Sequence, residues 1–272
     1  MDTIVIVVNR FGKKIKAIHK TETTFTRHAI LAVVKDVRNV SKHFITILLP
    51  TRKRTKMVQK SVAGLLDLSR DAKRIHIAVA YDHNDEESKT YFSSFSWRNL
   101  VEPTGATQSV HEIQRLGWMD LHEYYNQLAK SVDSDWYFIW NDDAYMKSYA
   151  WDQEIFDNNN PKQMLSMESN GKRPESTLFP CVSKLWLDTF GIIGMNPVDQ
   201  WIQDITYEIG CYKRISSEIF HDHFQFTGNN NDEIYQETSK NKKFTKRAYK
   251  TAEMAELKKS WIAQWRTAIN ED

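Results

Sequence analysis

The chain has few cysteines and no long hydrophobic run. Only two of its 272 residues are cysteine, Cys181 and Cys211, which are too few for a disulfide scaffold or for a zinc site built from cysteines alone. The only apolar run near the amino terminus, Ile4 to Val8, is flanked by Asp2 and Asn9. This run is too short for a signal peptide or a membrane-spanning helix. We therefore expect a soluble protein of the cytoplasm with reduced, buried thiols.

The sequence motifs of several common enzyme chemistries are also absent. There is no G-x-x-x-x-G-K-[S/T] phosphate loop, no G-x-G-x-x-G, no G-x-S-x-G and no H-E-x-x-H. These absences argue against P-loop, dinucleotide-binding, α/β-hydrolase and zinc-protease chemistry. Hydrophobic residues make up 41% of the chain and charged residues 26%, which is ordinary for a globular protein and excludes global disorder. The length suits one large α/β domain or two small ones.

The charge is close to balanced, but the basic residues are unevenly distributed. The formal net charge is +2, which by itself implies no polyanionic partner. One short stretch is strongly basic and contains Arg52, Lys53, Arg54, Lys56 and Lys60. The segment 240–272 carries nine lysines and arginines against four acids. Solvent-exposed surfaces explain both basic runs, and binding to nucleic acid is the alternative interpretation of the segment 240–272.

Strands and helices alternate in the first half of the chain. A hairpin around Gly12 is predicted within residues 1–40, which we interpret as an amino-terminal extension. Strands are then predicted at 44–49, where Pro50 ends the run, and at 75–81, 107–113 and 136–140. Helical spacing of apolar residues predicts helices between the first two and the last two of these strands. This succession is typical of βαβ units, and it predicts an α/β fold with a mostly parallel sheet flanked by helices.

The second half of the chain is less regular. Apolar spacing from Val198 to Ile209 predicts an amphipathic helix with Pro197 near its first turn. A strand is predicted at 218–226 and another at 164–167. A long basic helix is predicted at about 244–268. We divide the chain into the extension 1–40, a catalytic domain 41–238 and a basic helical tail 239–272.

A buried strand that ends in acidic residues is the most informative segment. Five consecutive apolar or aromatic residues, Trp136 to Trp140, predict a strand covered on both faces. Asn141, Asp142 and Asp143 follow directly, where open α/β sheets bind their ligands. Adjacent carboxylates repel each other unless a cation or hydrogen-bond donors compensate, so a divalent metal carrying a phosphate fits this position. A solvated turn is the alternative interpretation.

The order of these elements resembles a family-2-type nucleotide-sugar glycosyltransferase of the GT-A fold. The resemblance runs from Phe44 to Tyr235, roughly seven-tenths of the chain. The first strand ends in Leu49-Pro50-Thr51-Arg52, similar to the turn that begins these enzymes. A helix at 119–132 leads into the strand before the acidic triplet, and this succession is the most recognisable block of the family.

The resemblance implies roles for individual positions. It implies that the donor nucleotide is bound by residues that end the first two strands and by one acid of the triplet: Pro50, Thr51, Arg52, Asp82 and Asp142. It implies that Asp143, Asn141 and His223 bind a metal, with Asp143 as the main acidic ligand because the Asn141 amide carries no charge. His221 lies on the same strand face as His223 and is the alternative ligand. Asp199 stands where the family carries the acceptor-activating base, although a helix-start aspartate can also satisfy free backbone N–H groups.

The resemblance further implies the chemistry and the partners. A nucleotide-diphosphate sugar, with a UDP-sugar favoured, would pass its sugar to an acceptor hydroxyl with inversion. Negative charge that develops on the leaving diphosphate would be neutralised by Mn²⁺ or Mg²⁺. The acceptor stays open, and a glycan or hydroxymethylated DNA are the candidates. The composition would suit a phage gene, which would place the protein in the host cytoplasm.

Two other functions remain open from the sequence. A nucleotidyltransferase would also use paired acids and Mg²⁺, but such enzymes usually have a glycine-rich loop after the first strand, and the segment 50–54 has no glycine. A DNA-binding protein would use the basic tail and would bind in a salt-sensitive manner without a nucleotide sugar or a metal. A transferase acting on modified DNA bases would combine this reading with the glycosyltransferase.

Overall fold

The computed structural model describes residues 5–8, 14–18, 43–170, 178–222 and 249–271. The chain divides into two compact units, Met1–Ser41 and Lys42–Asp272. In the first unit, β1 (Val5–Val8) pairs antiparallel with β2 (Lys14–Ile18), which confirms the predicted hairpin.

The second unit contains the remaining strands and helices. In chain order they are β3 (His43–Thr51), α1 (Thr55–Asp67), β4 (Ile75–Asp82), α2 (Glu86–Ser93), α3 (Phe95–Val101), β5 (Thr107–Ile113), α4 (Leu121–Ser131), β6 (Ser134–Ile139), β7 (Ala144–Met146), α5 (Trp151–Asp157), β8 (Met164–Ser169), β9 (Pro180–Ser183), α6 (Lys184–Phe190), α7 (Val198–Ile209), β10 (Tyr212–His221) and α8 (Ala252–Asn270). Within the described residues, no helix is long and apolar enough to cross a membrane.

Eight strands form one mixed sheet in the order β5-β4-β3-β6-β9-β8-β10-β7. The pairs β4–β5, β3–β4, β3–β6 and β8–β10 are parallel, and the pairs that involve β9 or β7 are antiparallel. β6 lies inside the sheet between β3 and β9, so the acidic triplet follows an inner strand. This topology confirms the predicted α/β class and its mostly parallel sheet.

Helices cover both faces of the sheet, and the central strands divide their side chains between two cores. In β6, Trp136 and Phe138 belong to the core beneath α1, α3 and α5, whereas Tyr137 and Ile139 belong to the core beneath α4, α6 and α7. Successive residues of a strand point to opposite faces, so a strand buried on both sides must be apolar at every position. This requirement explains the unbroken apolar run of the sequence.

The structure differs from the sequence prediction at Pro50. β3 continues through Pro50 to Thr51, because Pro50 pairs in register with Ala80 of β4. The pairing of β3 with β6 ends two residues before Pro50, at Leu48 and Ile139. A proline lacks the N–H donor of a strand, and here the missing donor falls where one neighbouring strand has already ended.

The carboxyl-terminal helix begins later than predicted and is anchored in the core. α8 runs from Ala252 to Asn270, with the Thr251 side chain accepting a hydrogen bond from Met254 N at its start. Trp261 stacks on Phe190 of α6 at 3.9 Å between ring centroids, and Trp265 packs edge-on against Trp186 at 5.1 Å. The helix is therefore part of the second unit and carries two buried aromatic anchors.

A buried serine joins α1 to the end of β6. The Ser61 hydroxyl accepts a hydrogen bond from Trp140 Nε1 at 2.8 Å and donates one to the Ala144 carbonyl at 2.5 Å. Replacing Ser61 by alanine leaves two buried polar groups without these partners, so we expect a loss of about 2–3 kcal/mol in the free energy of unfolding. Urea denaturation measures this loss. Ser69→Ala, which removes a partly buried hydroxyl at the end of the same helix, is the control and should cost less.

Candidate active site

Asp142 lies at the carboxyl edge of the sheet in contact with the loop that follows β3. Its carboxylate accepts hydrogen bonds from the Thr51 hydroxyl at 2.7 Å and from the Arg54 guanidinium at 3.1 Å. Burial raises the pKa of Asp142 to about 6, Arg54 opposes this shift, and the charge of Asp143 adds to it. The carboxylate is therefore held at an energetic cost, in a place where further positive charge would stabilise it.

Asp143 is paired with a histidine from the other half of the sheet. His221 Nε2 lies 2.9 Å from Asp143 Oδ1, and both side chains are largely buried. The antiparallel pairing of β10 with β7 sets His221 opposite Ala144, directly after the acidic triplet. The Asp222 N–H also donates to the Asp143 carbonyl at 2.9 Å, so the backbone fixes the two segments together.

Tyr125, from α4, contacts the start of the acidic triplet. Its hydroxyl lies 2.9 Å from Asn141 Oδ1 and 3.2 Å from the Trp140 carbonyl. Burial raises the pKa of Tyr125 well above its usual range, and the charges of Asp199, Asp142 and Asp143 raise it further. Three carboxylates from two parts of the chain, Asp142, Asp143 and Asp199, therefore lie near enough to this neutral hydroxyl to raise its pKa, and these three residues form the acidic cluster.

Asp199 lies in the first turn of α7 and belongs to the same cluster. Burial raises the pKa of Asp199 above its ordinary value, while the backbone N–H groups of Gln200 and of Asp199 itself, together with His221, lower it. The helix is held against the sheet by its apolar face, Trp201, Ile202 and Ile205. The side chain thus acts electrostatically on His221 and Tyr125 and also satisfies free N–H groups at the helix start.

A second polar group forms where β3 and β4 end beside each other. Arg52 donates to Asp82 at 2.8 Å and to Asn84 at 2.7 Å, and the Tyr124 hydroxyl donates a short hydrogen bond to the other oxygen of Asp82. The Tyr124 oxygen in turn accepts from the Leu116 N–H at 3.0 Å. Asp82 is therefore a buried carboxylate with both oxygens engaged.

The loop between these two groups has a constrained backbone. Lys53 has a φ of 52°, in the left-handed region that non-glycine residues seldom adopt. Its N–H donates to Asp85 Oδ2 at 2.7 Å, and Asp85 also binds Ser88 at the start of α2. This turn directs Arg52 to Asp82 and Arg54 to Asp142, so the two arginines form ion pairs with different aspartates.

The donor groups of the site suit a hard or intermediate divalent cation. Asp143 and His221 offer carboxylate oxygen and imidazole nitrogen at one point of the sheet edge. Among the described residues, no group of three or more histidine, cysteine, aspartate or glutamate side chains is arranged to hold a metal ion. A Mg²⁺-type ion is commonly bound by one or two carboxylates together with substrate phosphates, so the residues present fit a cation that arrives with its nucleotide.

Comparison with known proteins shows a similar fold in solved structures but no close sequence relationship. No protein-family model matches the sequence, and no curated protein matches it. Among solved structures, the mannosyltransferase PcManGT from Pyrobaculum calidifontis, in complex with GDP-Man and Mn²⁺, aligns with a TM-score of 0.54 at 11% identity over 89% of this chain and 79% of its own. The chain has a GT-A-type fold.

Two further structures align less closely with this GT-A-type chain. S. aureus TarS 1-349 in complex with UDP aligns with a TM-score of 0.47 at 12% identity over 65% of this chain, and the match spans 60% of the TarS fragment. A glucose-1-phosphate thymidylyltransferase from Bacillus anthracis aligns with a TM-score of 0.45 at 11% identity over 72% of this chain and 99% of its own.

Most of the residues singled out in the sequence lie at one edge of the GT-A-type sheet. Asn141 contacts the Tyr125 hydroxyl, Thr51 contacts Asp142, and the charges of Asp142, Asp143 and Asp199 all raise the pKa of Tyr125. Arg52 and Asp82 form the adjoining group, next to Pro50. His223 lies outside the described residues, and the alternative ligand His221 is the histidine that contacts Asp143. Tyr124 and Tyr125 are functional candidates that the sequence analysis did not identify, although two adjacent tyrosines on an apolar helix face bring hydroxyls that need buried partners.

Proposed function

We propose that this protein is a metal-dependent glycosyltransferase that moves a sugar from a nucleotide-diphosphate donor to an acceptor hydroxyl, with inversion at the anomeric carbon. The observation that carries the proposal is the set of contacts at the carboxyl edge of a GT-A-type sheet, where Asp142 binds Thr51 and Arg54 and Asp143 binds His221. The complex of PcManGT with GDP-Man and Mn²⁺ supports the same class of donor and cation.

The loop after β3 would bind the donor nucleotide. Thr51 and Arg52 stand beside Asp82, where N–H and O–H groups of a base or a ribose find charged partners. Arg54 has its guanidinium at Asp142, within the same acidic cluster, where it can shift towards a diphosphate oxygen. A UDP-sugar remains the favoured donor from the sequence, and a GDP-sugar has the support of PcManGT.

Asp143 and His221 would hold the divalent cation, with Mn²⁺ favoured because one donor is nitrogen. When bound, the cation neutralises the charge of the leaving diphosphate. Asp142 keeps the loop in place through Thr51 and Arg54, so its role is to orient the donor side of the site. Tyr125 stays protonated, since burial and the surrounding carboxylates oppose its ionisation.

Asp199 would act as the general base for the acceptor hydroxyl. The pKa of Asp199 is raised towards neutral pH relative to an ordinary aspartate, which makes its carboxylate a stronger proton acceptor. With Asp199 acting as a base rather than as a nucleophile, the transfer is a single displacement, and a single displacement inverts the anomeric carbon. The acceptor is proposed only as a hydroxyl compound, with glycans and hydroxymethylated DNA as the first to be assayed.

A thermal-shift screen of nucleoside diphosphates and nucleotide sugars, with and without Mn²⁺, tests the proposal. A ligand at a hundredfold excess over its dissociation constant adds about 2.7 kcal/mol to the free energy of unfolding, which gives a clear rise in melting temperature. We expect at least one diphosphate to stabilise the protein, and more strongly with Mn²⁺. A melting temperature that no member of the panel raises would contradict the proposal.

Asp82→Ala is expected to weaken donor binding. The change removes the partner of Arg52 and of the Tyr124 hydroxyl, so the end of β4 loses its fixed polar group. We expect the donor dissociation constant to rise on the order of tenfold, the equivalent of about 1.4 kcal/mol. Titration calorimetry with the diphosphate found in the screen measures this. The control is Tyr81→Phe, the neighbouring position of β4, which removes a hydrogen bond from Tyr81 to Glu112 of β5. An unchanged donor affinity in Asp82→Ala would show that the nucleobase of the donor binds elsewhere.

A further inference from the structure

Glu154, on α5 and outside the acidic cluster, accepts hydrogen bonds from two consecutive serines of β10. Its Oε1 accepts hydrogen bonds from the Ser216 N–H at 2.5 Å and from the Ser216 hydroxyl at 2.7 Å. Its Oε2 accepts from the Ser217 N–H at 2.8 Å and, through a short bond, from the Ser217 hydroxyl. Burial alone would raise the pKa of Glu154, but these hydrogen bonds lower it, so the carboxylate is ionised at neutral pH.

The two serines form a bulge in β10. Ile215 pairs with Met167 of β8, and the next pair is Glu218 with Glu168. Between these pairs β10 has two residues and β8 has none. The ladder cannot satisfy the backbone N–H groups of such a bulge, and the Glu154 carboxylate accepts from both of them.

The bulge determines where His221 lies. Beyond it, β10 pairs with β7, with Ile219 opposite Met146 and His221 opposite Ala144. If the bulge were lost, the strand would slide by two residues, about 6–7 Å. The same face would stay inward, but Ile219 would stand where His221 now contacts Asp143. A regular strand is thus incompatible with the Asp143–His221 pair.

α5 gives Glu154 a rigid support. Trp151 Nε1 donates to the Leu65 carbonyl at 2.9 Å, and the buried Asp152 accepts from the N–H groups of Arg70 and Asp71 at 2.7 and 2.9 Å. These contacts tie α5 to the end of α1 and the turn after it. Glu154 therefore reaches β10 from a helix that is fixed on its other side.

We propose that Glu154 is a positioning residue that holds the Ser216–Ser217 bulge and thereby places His221 beside Asp143 to bind the divalent cation. The metal-binding part of this inference rests on the proposed function. The placement of His221 depends only on the contacts of Glu154 and on the strand register.

Glu154→Gln and Asp157→Asn form a matched pair for the test. Each removes one charge from α5, and Asp157 accepts a hydrogen bond from Gln153 Nε2 at 2.7 Å on the exposed side of the helix. We expect Glu154→Gln to weaken Mn²⁺ binding, measured by electron paramagnetic resonance of free Mn²⁺, on the order of tenfold to a hundredfold. Asp157→Asn should leave the Mn²⁺ affinity unchanged. Equal losses of Mn²⁺ affinity in both variants, or none in Glu154→Gln, would overturn the inference.

The ring resonances of His221 supply a readout that does not depend on metal or activity. In long-range ¹H–¹⁵N spectra, assigned with His221→Gln, we expect Glu154→Gln to shift the resonances of the His221 ring nitrogens and Asp157→Asn to leave them in place. Unshifted His221 nitrogens in a folded Glu154→Gln protein would refute the positioning role. If wild-type protein binds neither Mn²⁺ nor a nucleotide, the proposed function fails, and these spectra still decide the role of Glu154.

Discussion

Asp199→Asn is expected to lower the rate of sugar transfer by about 10²- to 10⁴-fold while donor and metal binding stay unchanged. The amide keeps the shape of the side chain and can still accept from the N–H groups at the start of α7, but it cannot take a proton from an acceptor. Steady-state kinetics with the donor identified by the screen, together with calorimetry of donor binding, measure the two effects separately.

The pH dependence gives an independent view of the same residue. The base works in its ionised form, and burial raises the pKa of Asp199 above the ordinary value for aspartate. The transfer rate of the wild-type protein should therefore fall as the pH is lowered through this raised pKa and be flat above it. The residual activity of Asp199→Asn should lack that fall.

Asp204→Asn is the control for a purely structural effect in α7. Asp204 binds Tyr249 at 2.7 Å and Lys258 at 2.5 Å, so it ties α7 to the carboxyl-terminal segment. This variant should melt earlier and still transfer sugar. If Asp199→Asn behaves in the same way, melting earlier but transferring at nearly the wild-type rate, then Asp199 only satisfies the helix start.

Asp143→Asn is expected to abolish the divalent-dependent part of donor binding with the fold intact. The change removes the carboxylate from the Asp143–His221 pair, and an amide is a weak, uncharged metal ligand. Calorimetric titration of the nucleoside diphosphate with Mn²⁺ and with a chelator measures the difference. Asp133→Asn, which breaks a surface ion pair with Lys184, should retain the full metal dependence. An unchanged metal dependence in Asp143→Asn would exclude it as a ligand.

The sequence predicts the central strands because their burial imposes a simple pattern. A strand covered on both faces must be largely apolar, and this is visible in the runs Ile77 to Tyr81 of β4 and Trp136 to Ile139 of β6. The segment after β4 gives no such signal, since α2 is short and polar, α3 has only seven residues, and Ser94 separates the two. β7 has only three residues and owes its pairing to β10, which is far away in the sequence.

The candidate site was predictable in position but not in its contacts. Strand ends put Asp82 and Asp142 at one edge of the sheet, and that much follows from topology. Arg52 binds Asp82 and Arg54 binds Asp142. This pairing depends on the left-handed turn at Lys53, which no local sequence pattern indicates. Likewise, Glu154 meets Ser216 across 62 positions of sequence, where no periodicity connects them.

The release of nucleoside diphosphate from nucleotide sugars tests the central claim most directly. Wild-type protein is incubated with UDP- and GDP-sugars, Mn²⁺ and a panel of hydroxyl acceptors that includes glycans and hydroxymethylated DNA, and the products are separated by chromatography. We predict Mn²⁺-dependent release of a nucleoside diphosphate from at least one donor, with less than about one-hundredth of that rate in Asp199→Asn. No release from any donor, together with pyrophosphate formation from a nucleoside triphosphate and a sugar phosphate, would contradict the account and identify a nucleotidyltransferase.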